Sequence, residues 1–300
     1  MSDSASGLFA RPFAPTPTYL TGSPLDRADA MRRDRQAIWA ARMNPSARWL
    51  AFDDLKVVLA DDDTLGWVRR VDVEDEATEV FLGLIEGAPR FAVAQSCGDL
   101  DGRPRDARGA FATLPSADAA IVAQARSMLD WHQRHGFCAR CGAPTDMVKA
   151  GYARDCQACG GEHFPRVDPV VIMLAVTEDA CLLGRQAQFP KGFMSALAGF
   201  VEPGESIEEA VRRELEEESG IEVDRVAYVS SQPWPFPSSL MIGAIAEART
   251  TDIRLDDDEL EAADWFTKAD VRAALAGDGP FLMPPPMAIA HTLLATWIAS

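Results

Sequence analysis

The chain has 300 residues, room for two or three domains, and its 47% apolar and 25% charged side chains are those of an ordinary globular protein. No run approaches the roughly 18 consecutive apolar residues that a membrane span needs, which argues against a membrane protein. A net charge of −17, from 29 basic and 46 acidic side chains, disfavours non-specific nucleic-acid binding, because duplex binding needs lysine and arginine to displace counterions; one terminus of an RNA entering a pocket stays compatible with it.

The N-terminal stretch MSDSASGLFARPFAP has no basic region followed by an apolar core, and Ile298-Ala299-Ser300 is not a peroxisomal address, so a cytoplasmic location is expected. The first twenty or so residues, rich in Pro, Ser and Thr, read as loose. Strand-like runs follow at 55–59, 66–69, 80–85 and 90–94, and then a polar stretch over 98–109. Helical spacing of Ile121, Val122, Ala125, Met128, Leu129 and His132 predicts a helix over 116–135; His132 and His135 receive no function. A cysteine module spans about 137–165. Beyond it, an apolar strand over 170–176 has a hairpin partner at 180–184, and a glycine-bearing turn over 198–204 leads into an acidic helix over 206–219. Strands near 223–229 and 240–247 flank the segment SQPWPFP, and helices over 268–275 and 288–298 close the chain. No internal repeat is visible. The domains are therefore expected to be an N-terminal α/β domain (1–135), a small metal module (136–166) and a C-terminal α/β domain (167–300).

Four of the six cysteines form two C-x2-C pairs, Cys138/Cys141 and Cys156/Cys159, each followed by a glycine that relieves the tight turn. Four thiolates at this spacing make a closed tetrahedral Zn²⁺ site, and a closed site leaves no position for a reacting water, so one zinc would be structural. The rival readings are a redox dithiol and chance pairing. Cys97 and Cys181 stand alone, as small core or surface residues.

The segment GFVEPGESIEEAVRRELEEESGI carries clear end signals: Ser206 with Glu209 as a capping box and Gly220 as the C-terminal stop. At about 100° per residue, Ile207, Ala210, Val211 and Leu215 form the buried stripe, and Glu214, Glu217 and Glu218 fall on that same stripe. Like charges at these spacings repel, acids near a helix C-terminus oppose its dipole, and proximity to the core adds desolvation. A hard dication would relieve all three costs, and carboxylate oxygens suit Mg²⁺ or Mn²⁺. Arg213 can reach Glu209 or Glu217 one turn away. Glu208, Glu209 and Glu216 read as a solvated face.

This segment resembles the Nudix box at Gly199, Glu205, Arg213, Glu214, Leu215, Glu217, Glu218, Gly220 and Ile221. The resemblance implies an α/β/α sandwich around a mixed sheet. It also implies two or three catalytic Mg²⁺ or Mn²⁺ ions and hydrolysis of a nucleoside diphosphate linked to another group. Glu214 and Glu218 are expected as principal ligands, Glu217 as ligand or water-orienting base, with Glu205 and Arg213 in support.

SQPWPFP by itself reads equally as a rigid core-edge loop or as a binding loop in which Trp234 and Phe236 pack against rings and Gln232 and Ser239 act as polar handles. Downstream of a Nudix box and a four-cysteine ribbon, it resembles the NADH pyrophosphatase family over about 105–300. That likeness implies an NAD(H) diphosphatase cleaving NADH, and less efficiently NAD⁺, to the nicotinamide mononucleotide and AMP. It further implies removal of NAD caps from the 5′ end of RNA, a homodimer, and a Nudix-like α+β first domain. Carried over, the metal positions fall on Ala198 (carbonyl), Glu214, Glu218 and Glu259, with Glu261 near Glu259 because Ala262 stands where a second acid is often found. Substrate positions fall on Gln232, Pro233, Trp234, Pro235, Phe236, Pro237, Ser238, Ser239, Phe200 and Ala290, on Arg108 of the first domain, and on Phe164, which a partner subunit would supply. Two rival functions are a Nudix enzyme for another dinucleotide such as ADP-ribose and a non-enzymatic adaptor; the SQPWPFP loop opposes the first and the intact box the second.

Overall fold

The computed structural model describes residues 17–98, 100–255 and 259–300. The expectation of a loose N-terminus falls, up to residue 16, outside the described residues. By its contacts the chain forms two compact units, one of Leu20–Val167 with Pro233–Ser238, the other of Asp168–Gln232 and Ser239–Ser300 with residues 17–19.

In the first unit, helices α1 (Asp29–Arg32) and α2 (Arg35–Met43) precede the sheet, and the Asp34 side chain caps α2 by accepting from the N–H groups of Gln36 and Ala37. Strands β1 (Arg48–Asp53), β2 (Lys56–Leu59), β3 (Trp67–Val68), β4 (Thr78–Ile85), β5 (Ala88–Ala94) and β6 (Arg103–Arg105) form a sheet in the order β4-β5-β1-β2-β6, with β3 beside β1. Strand β1 is parallel to β5 and antiparallel to β2 and β3. On one face Trp49, Phe81 and Phe91 pack with Ala41 of α2, and the Trp49 and Phe91 rings stack at 4.9 Å. Helices α3 (Ala107–Phe111) and α4 (Ser116–Arg134) follow, and α4 buries the six side chains whose spacing predicted it. Strands β1 and β6 and helices α1 to α3 have no counterpart in the sequence reading, since most are too short for a periodicity to show.

The cysteine module adds a three-stranded sheet, β7 (Asp146–Val148), β8 (Ala153–Asp155) and β9 (Glu162–His163). It does not separate as a compact unit of its own at 135/136, and the reason is local. His132 Nε2 lies 2.8 Å from the Gly151 carbonyl, and Arg154 donates to His132 Nδ1 at 3.0 Å. Burial pushes the imidazole down to about 4, so it is neutral, with its proton on Nε2 facing the carbonyl. Gly151, at φ +98°, sits so near Val80 that a Cβ there would fall 2.9 Å from the valine methyls.

The second unit holds β10 (Asp168–Val176), β11 (Ala180–Arg185), β12 (Leu197–Phe200), α5 (Ile207–Ser219), β13 (Val223–Trp234), β14 (Ser239–Ala248), β15 (Ala262–Thr267), α6 (Lys268–Leu275) and α7 (Ile289–Ala299). The sheet order is β13-β14-β10-β11-β15 with β12 beside β10, and β10 runs parallel to β14 but antiparallel to β11 and β12. Strand β10 alternates: Ile172, Leu174 and Val176 pack with Val271, Leu293 and Trp297 on one face, while Val171, Met173 and Ala175 pack with Ala210, Val211 and Leu215 on the other. A mixed sheet thus lies between α5 on one side and α6 and α7 on the other, the α/β/α sandwich that the sequence implied. Strand β15 was not foreseen. The second sheet repeats the pairing order of the first, in keeping with the Nudix-like first domain that the resemblance implied.

Candidate active site and metal centre

The four cysteine Sγ atoms lie within 4.8 Å of one another, with Cys138–Cys159 at 3.6 Å and Cys141–Cys156 at 3.5 Å. Tetrahedral Zn–S bonds of about 2.3 Å put sulfurs about 3.8 Å apart, so the set fits zinc. The two knuckles are built alike. The N–H of Gly142 donates to the Cys138 carbonyl and that of Gly160 to the Cys156 carbonyl, both at 2.9 Å, and both glycines have positive φ, +77° and +70°. His163 Nε2 stands 3.2 Å from Cys138 Sγ. The sequence reading passed over this histidine, whose one signal was its position four residues after Cys159.

Helix α5 begins at Ser206, whose Oγ accepts from the Glu209 N–H while the Glu209 carboxylate accepts from the Ser206 N–H, and it ends at Gly220 in the left-handed conformation, φ 70°. Its inner face places Glu214 (9% exposed) and Glu218 (5%) level with Ala210, Val211 and Leu215. Two residues depart from the expected stripe. Ile207 is 38% exposed, for it lies in the first turn ahead of Ala210, where burial begins. Glu217 is turned to solvent, so two acids, not three, are buried beside the core.

Arg213 is the hub of this surface. Its Nε and Nη2 donate to the two oxygens of Glu205 at 2.6 and 2.9 Å, its Nη1 to Glu214 at 2.8 Å and Glu217 at 3.0 Å, and Nη2 also to the Phe200 carbonyl at 2.9 Å. Glu209, which the sequence offered as a partner, is occupied by the helix cap. The Arg213 fork, with the Glu202 N–H, holds Glu205 down at about 2. Burial, followed by the neighbouring charges of Glu214 and Glu259, pushes Glu218 up to about 8. Burial also raises Glu214, against the pull of Arg213. The glycine that opens the box has a steric cause: a Cβ on Gly199 would fall 1.8 to 2.1 Å from the Glu214 carboxyl atoms.

Gly199, Glu202, Arg213, Glu214, Glu217 and Glu218 line a cavity of about 720 Å³ together with Gln186, Gln188, Ala198, Phe200 and Glu259. Its wall carries five carboxylates, Glu202, Glu214, Glu217, Glu218 and Glu259, against the single guanidinium of Arg213, whose charge Glu205 already shares. The cavity suits a ligand of nucleotide size, and its wall would repel an anionic one unless cations intervened. Among the described residues the set of metal-ligating groups that converges is the four thiols, all within 4.8 Å of one another. Phe200, 61% exposed, offers an apolar face at the rim.

Other expected site residues stand elsewhere. Glu261 is paired with Arg185 and does not line the cavity. Ala290 is 2% exposed, packed in the core with α7, and does not line the cavity. Gln232 is 1% exposed, and its amide is fully engaged: Nε2 donates to the Tyr19 and Met287 carbonyls at 2.8 and 3.0 Å, and Oε1 accepts from the Ile289 N–H at 2.9 Å. It is an anchor for the start of α7, not a free polar handle, and Ser239 is buried too. Pro233 and Pro237 are exposed, Trp234, Phe236 and Ser238 are half-buried, and Pro235 is buried. Phe236 packs within the first unit, with the Trp234 ring at 5.3 Å and the Arg108 guanidinium at 4.1 Å from its centroid. Phe164 is exposed, with the Lys149 ammonium 5.2 Å from its ring centroid.

Comparison with known proteins finds three family profiles along the chain: "NADH pyrophosphatase-like rudimentary NUDIX domain" over 46–131, "NADH pyrophosphatase zinc ribbon domain" over 133–164 and "NUDIX domain" over 165–283. The NAD-capped RNA hydrolase NudC of Mycobacterium bovis is 38% identical over 291 residues, 91% of this chain and 92% of that protein. The NAD-capped RNA hydrolase NUDT12 of Macaca fascicularis is 52% identical over 197 residues, covering 62% of this chain; the match spans 43% of that longer protein. The mitochondrial NAD(P)H pyrophosphatase NUDT13 of Homo sapiens is 42% identical over 213 residues, 67% of this chain and 60% of that protein.

Proposed function

The chain belongs to the NADH pyrophosphatase branch of the Nudix family, and from that premise we propose that it hydrolyses the diphosphate bond of NADH and NAD⁺ to the nicotinamide mononucleotide and AMP. The observation that carries the proposal is the pair of buried acids, Glu214 and Glu218, set beside one another on a cavity wall where carboxylates outnumber cations five to one. A buried pair of like charges is costly, and a hard dication offsets that cost.

Two or three Mg²⁺ or Mn²⁺ ions, held by Glu214, Glu218, Glu259 and the Ala198 carbonyl, would supply Lewis acidity toward the diphosphate and ease formation of the nucleophile. The chain's own groups do the rest. Arg213, fixed by both oxygens of Glu205, holds Glu214 and Glu217 in orientation. Glu217, turned to solvent at the cavity wall, takes the proton from a water attacking phosphorus as the bridging P–O bond breaks. Phe200, exposed at the cavity rim, offers a flat surface for a ring of the dinucleotide.

A second substrate class is supported by what two relatives are called: NAD-capped RNA hydrolase. The charge of −17 favours recognition of the capped 5′ end over the RNA body. The reading extends to a cytoplasmic homodimer in which exposed Phe164 serves the partner's site. Among the described residues no helix is long and apolar enough to cross a membrane. The test is chromatography of the products after incubation of NADH with the protein and Mg²⁺: equimolar AMP and reduced nicotinamide mononucleotide are expected. Intact NADH, or cleavage at the glycosidic bond, defeats the proposal.

A further inference from the structure

Cys138 and Cys156 are the two buried thiols of the cysteine cluster, so bulk water does not hydrate their sulfurs. Four thiolates around one Zn²⁺ leave negative charge in excess, and burying that charge without donors is costly. At Cys138 the chain supplies two donors. The Arg140 N–H reaches Sγ at 3.4 Å from within the knuckle. From outside the knuckle, His163 Nε2 stands 3.2 Å from the same sulfur. Strand pairing sets its place. His163 lies opposite Arg154 in the β8–β9 ladder, and in the turn before it the Cys156 N–H donates to the Gly161 carbonyl at 2.8 Å. A Cβ on Gly161 would stand 3.4 Å from Cys159 Sγ, 3.6 Å from His163 Nε2 and 3.7 Å from Cys138 Sγ, so these three atoms surround one point.

The imidazole could serve as a ligand or as a donor, and two observations favour the donor. The four sulfurs already complete a tetrahedron. A nitrogen and a sulfur bound to one tetrahedral Zn²⁺ would stand about 3.5 Å apart, and His163 Nε2 is closer to Cys138 than that. A thiolate carries no proton, so Nε2 must carry one; two lone pairs at this separation would repel. We infer that His163 is a positioning residue of the zinc ribbon: its Nε2–H donates to the Cys138 thiolate, disperses the sulfur's charge and so retains the metal. The inference is independent of the proposed hydrolysis, whose acids belong to the other compact unit.

Competition for zinc with a chromogenic chelator tests the inference, on the full chain as wild type, His163→Gln and His163→Phe. Glutamine can present an amide N–H at a similar reach, and phenylalanine keeps a ring without a donor. Zinc affinity is expected to fall about tenfold or more with phenylalanine and to stay within about threefold of the wild type with glutamine. In the Co²⁺-loaded proteins the thiolate-to-metal charge-transfer band should move to longer wavelength with phenylalanine, because a sulfur without its hydrogen bond gives up an electron more easily. With glutamine the band should stay in place. A packing role alone would change Tm and leave the band unmoved. An unmoved band or wild-type affinity in the phenylalanine variant therefore overturns the inference, as does a glutamine variant no tighter than phenylalanine. X-ray absorption at the zinc edge of the wild type should find four sulfurs, and a nitrogen among the ligands overturns it too. Should the phenylalanine variant fail to fold, the glutamine variant and the absorption spectrum decide: weakened affinity in the first, or nitrogen in the second, defeats the assignment.

Discussion

The two six-stranded sheets share one pairing plan and differ in what connects their strands. In both, a central strand (β1 or β10) runs parallel to one neighbour and antiparallel to two others, and the outer strands follow in the same order. Between β12 and β13 the second sheet carries the capped acidic helix α5. At the same place, between β3 and β4, the first has a 3₁₀ turn at Arg70–Asp72 and no helix. Each half also withdraws a glutamate from solvent, Glu79 half-buried on β4 of the first and Glu218 buried on α5 of the second. Glu79 of β4 accepts from Trp49 Nε1 at 2.5 Å and pairs with Arg42 at 3.1 Å, whereas Glu218 faces Glu214 and Glu259. A buried acid with donors and a counter-charge is structural; one surrounded by its own kind awaits a cation from outside. The sheet is thus a scaffold shared by both halves, and the acidic helix is carried by one connection of the second.

The sharpest way to break this comparison is to neutralise both acids. Glu218→Gln is expected to lower kcat for NADH by about a thousandfold or more, because a metal position is lost while the side-chain volume is kept. Glu79→Gln should leave kcat within about twofold and cost about 1–3 kcal/mol of stability, since it keeps the Trp49 bond but strands Arg42 without its counter-charge. Turnover assays and denaturant titrations read both. Retained turnover in Glu218→Gln, or its loss in Glu79→Gln, would show that the division between scaffold and site is drawn in the wrong place.

The next effect is steric. Gly199 has an ordinary negative φ, so its role is not conformational; a methyl group there would overlap the Glu214 carboxyl. Gly199→Ala should therefore displace that carboxylate by about an ångström and lower kcat about a hundredfold, with a Tm close to wild type. Unchanged kcat would mean that Glu214 is not needed where the structure holds it. The first sheet offers a control: Gly87, at the turn between β4 and β5, has open space where a Cβ would go, and its positive φ makes a substitution there a matter of backbone strain alone.

How much of this was legible in the residues depended on range. The two cysteine knuckles and the ends of α5 are set by contacts within four residues, and their spacing carried the geometry. The apolar run of β10 also announced a strand. Features set by distant packing did not show. A helical wheel treats a helix as evenly covered, so it could not tell that burial starts at Ala210, leaving Ile207 exposed, or that Glu217 falls on the solvent flank. Gln232 looked like a polar handle because its partners, Tyr19, Met287 and Ile289, come from two remote segments. Strand β15 was hidden for the same reason, since strand pairing is a long-range property; the matching plan of the two sheets came only through the resemblance that implied a Nudix-like first domain.

The smallest effect concerns pH, and it separates the two buried acids without any substrate. Glu218 moves from its ordinary value of 4.5 up to about 8 in the folded protein, so folding favours its protonated form. Below pH 4.5 it is protonated in both states and costs nothing; as pH climbs toward 8 the unfolded chain ionises first and stability falls. Glu205, held at about 2 by Arg213, has the opposite sign: its contribution is present above pH 4.5 and fades as pH drops toward 2. Without Mg²⁺ or Mn²⁺, Tm is therefore expected to decline by roughly 5 °C between pH 5 and pH 8, and added Mg²⁺ at pH 8 should restore it. In Glu218→Gln that decline should largely vanish, and Mg²⁺ should stabilise less. Glu79 is also raised, by burial against the opposing pull of Trp49 and Arg42, so it adds to the decline with the same sign, and Glu79→Gln should lessen the slope by less than Glu218→Gln does. A slope that follows Glu79 and not Glu218 would place the uncompensated acid in the first sheet, and the contrast between the two halves would reverse.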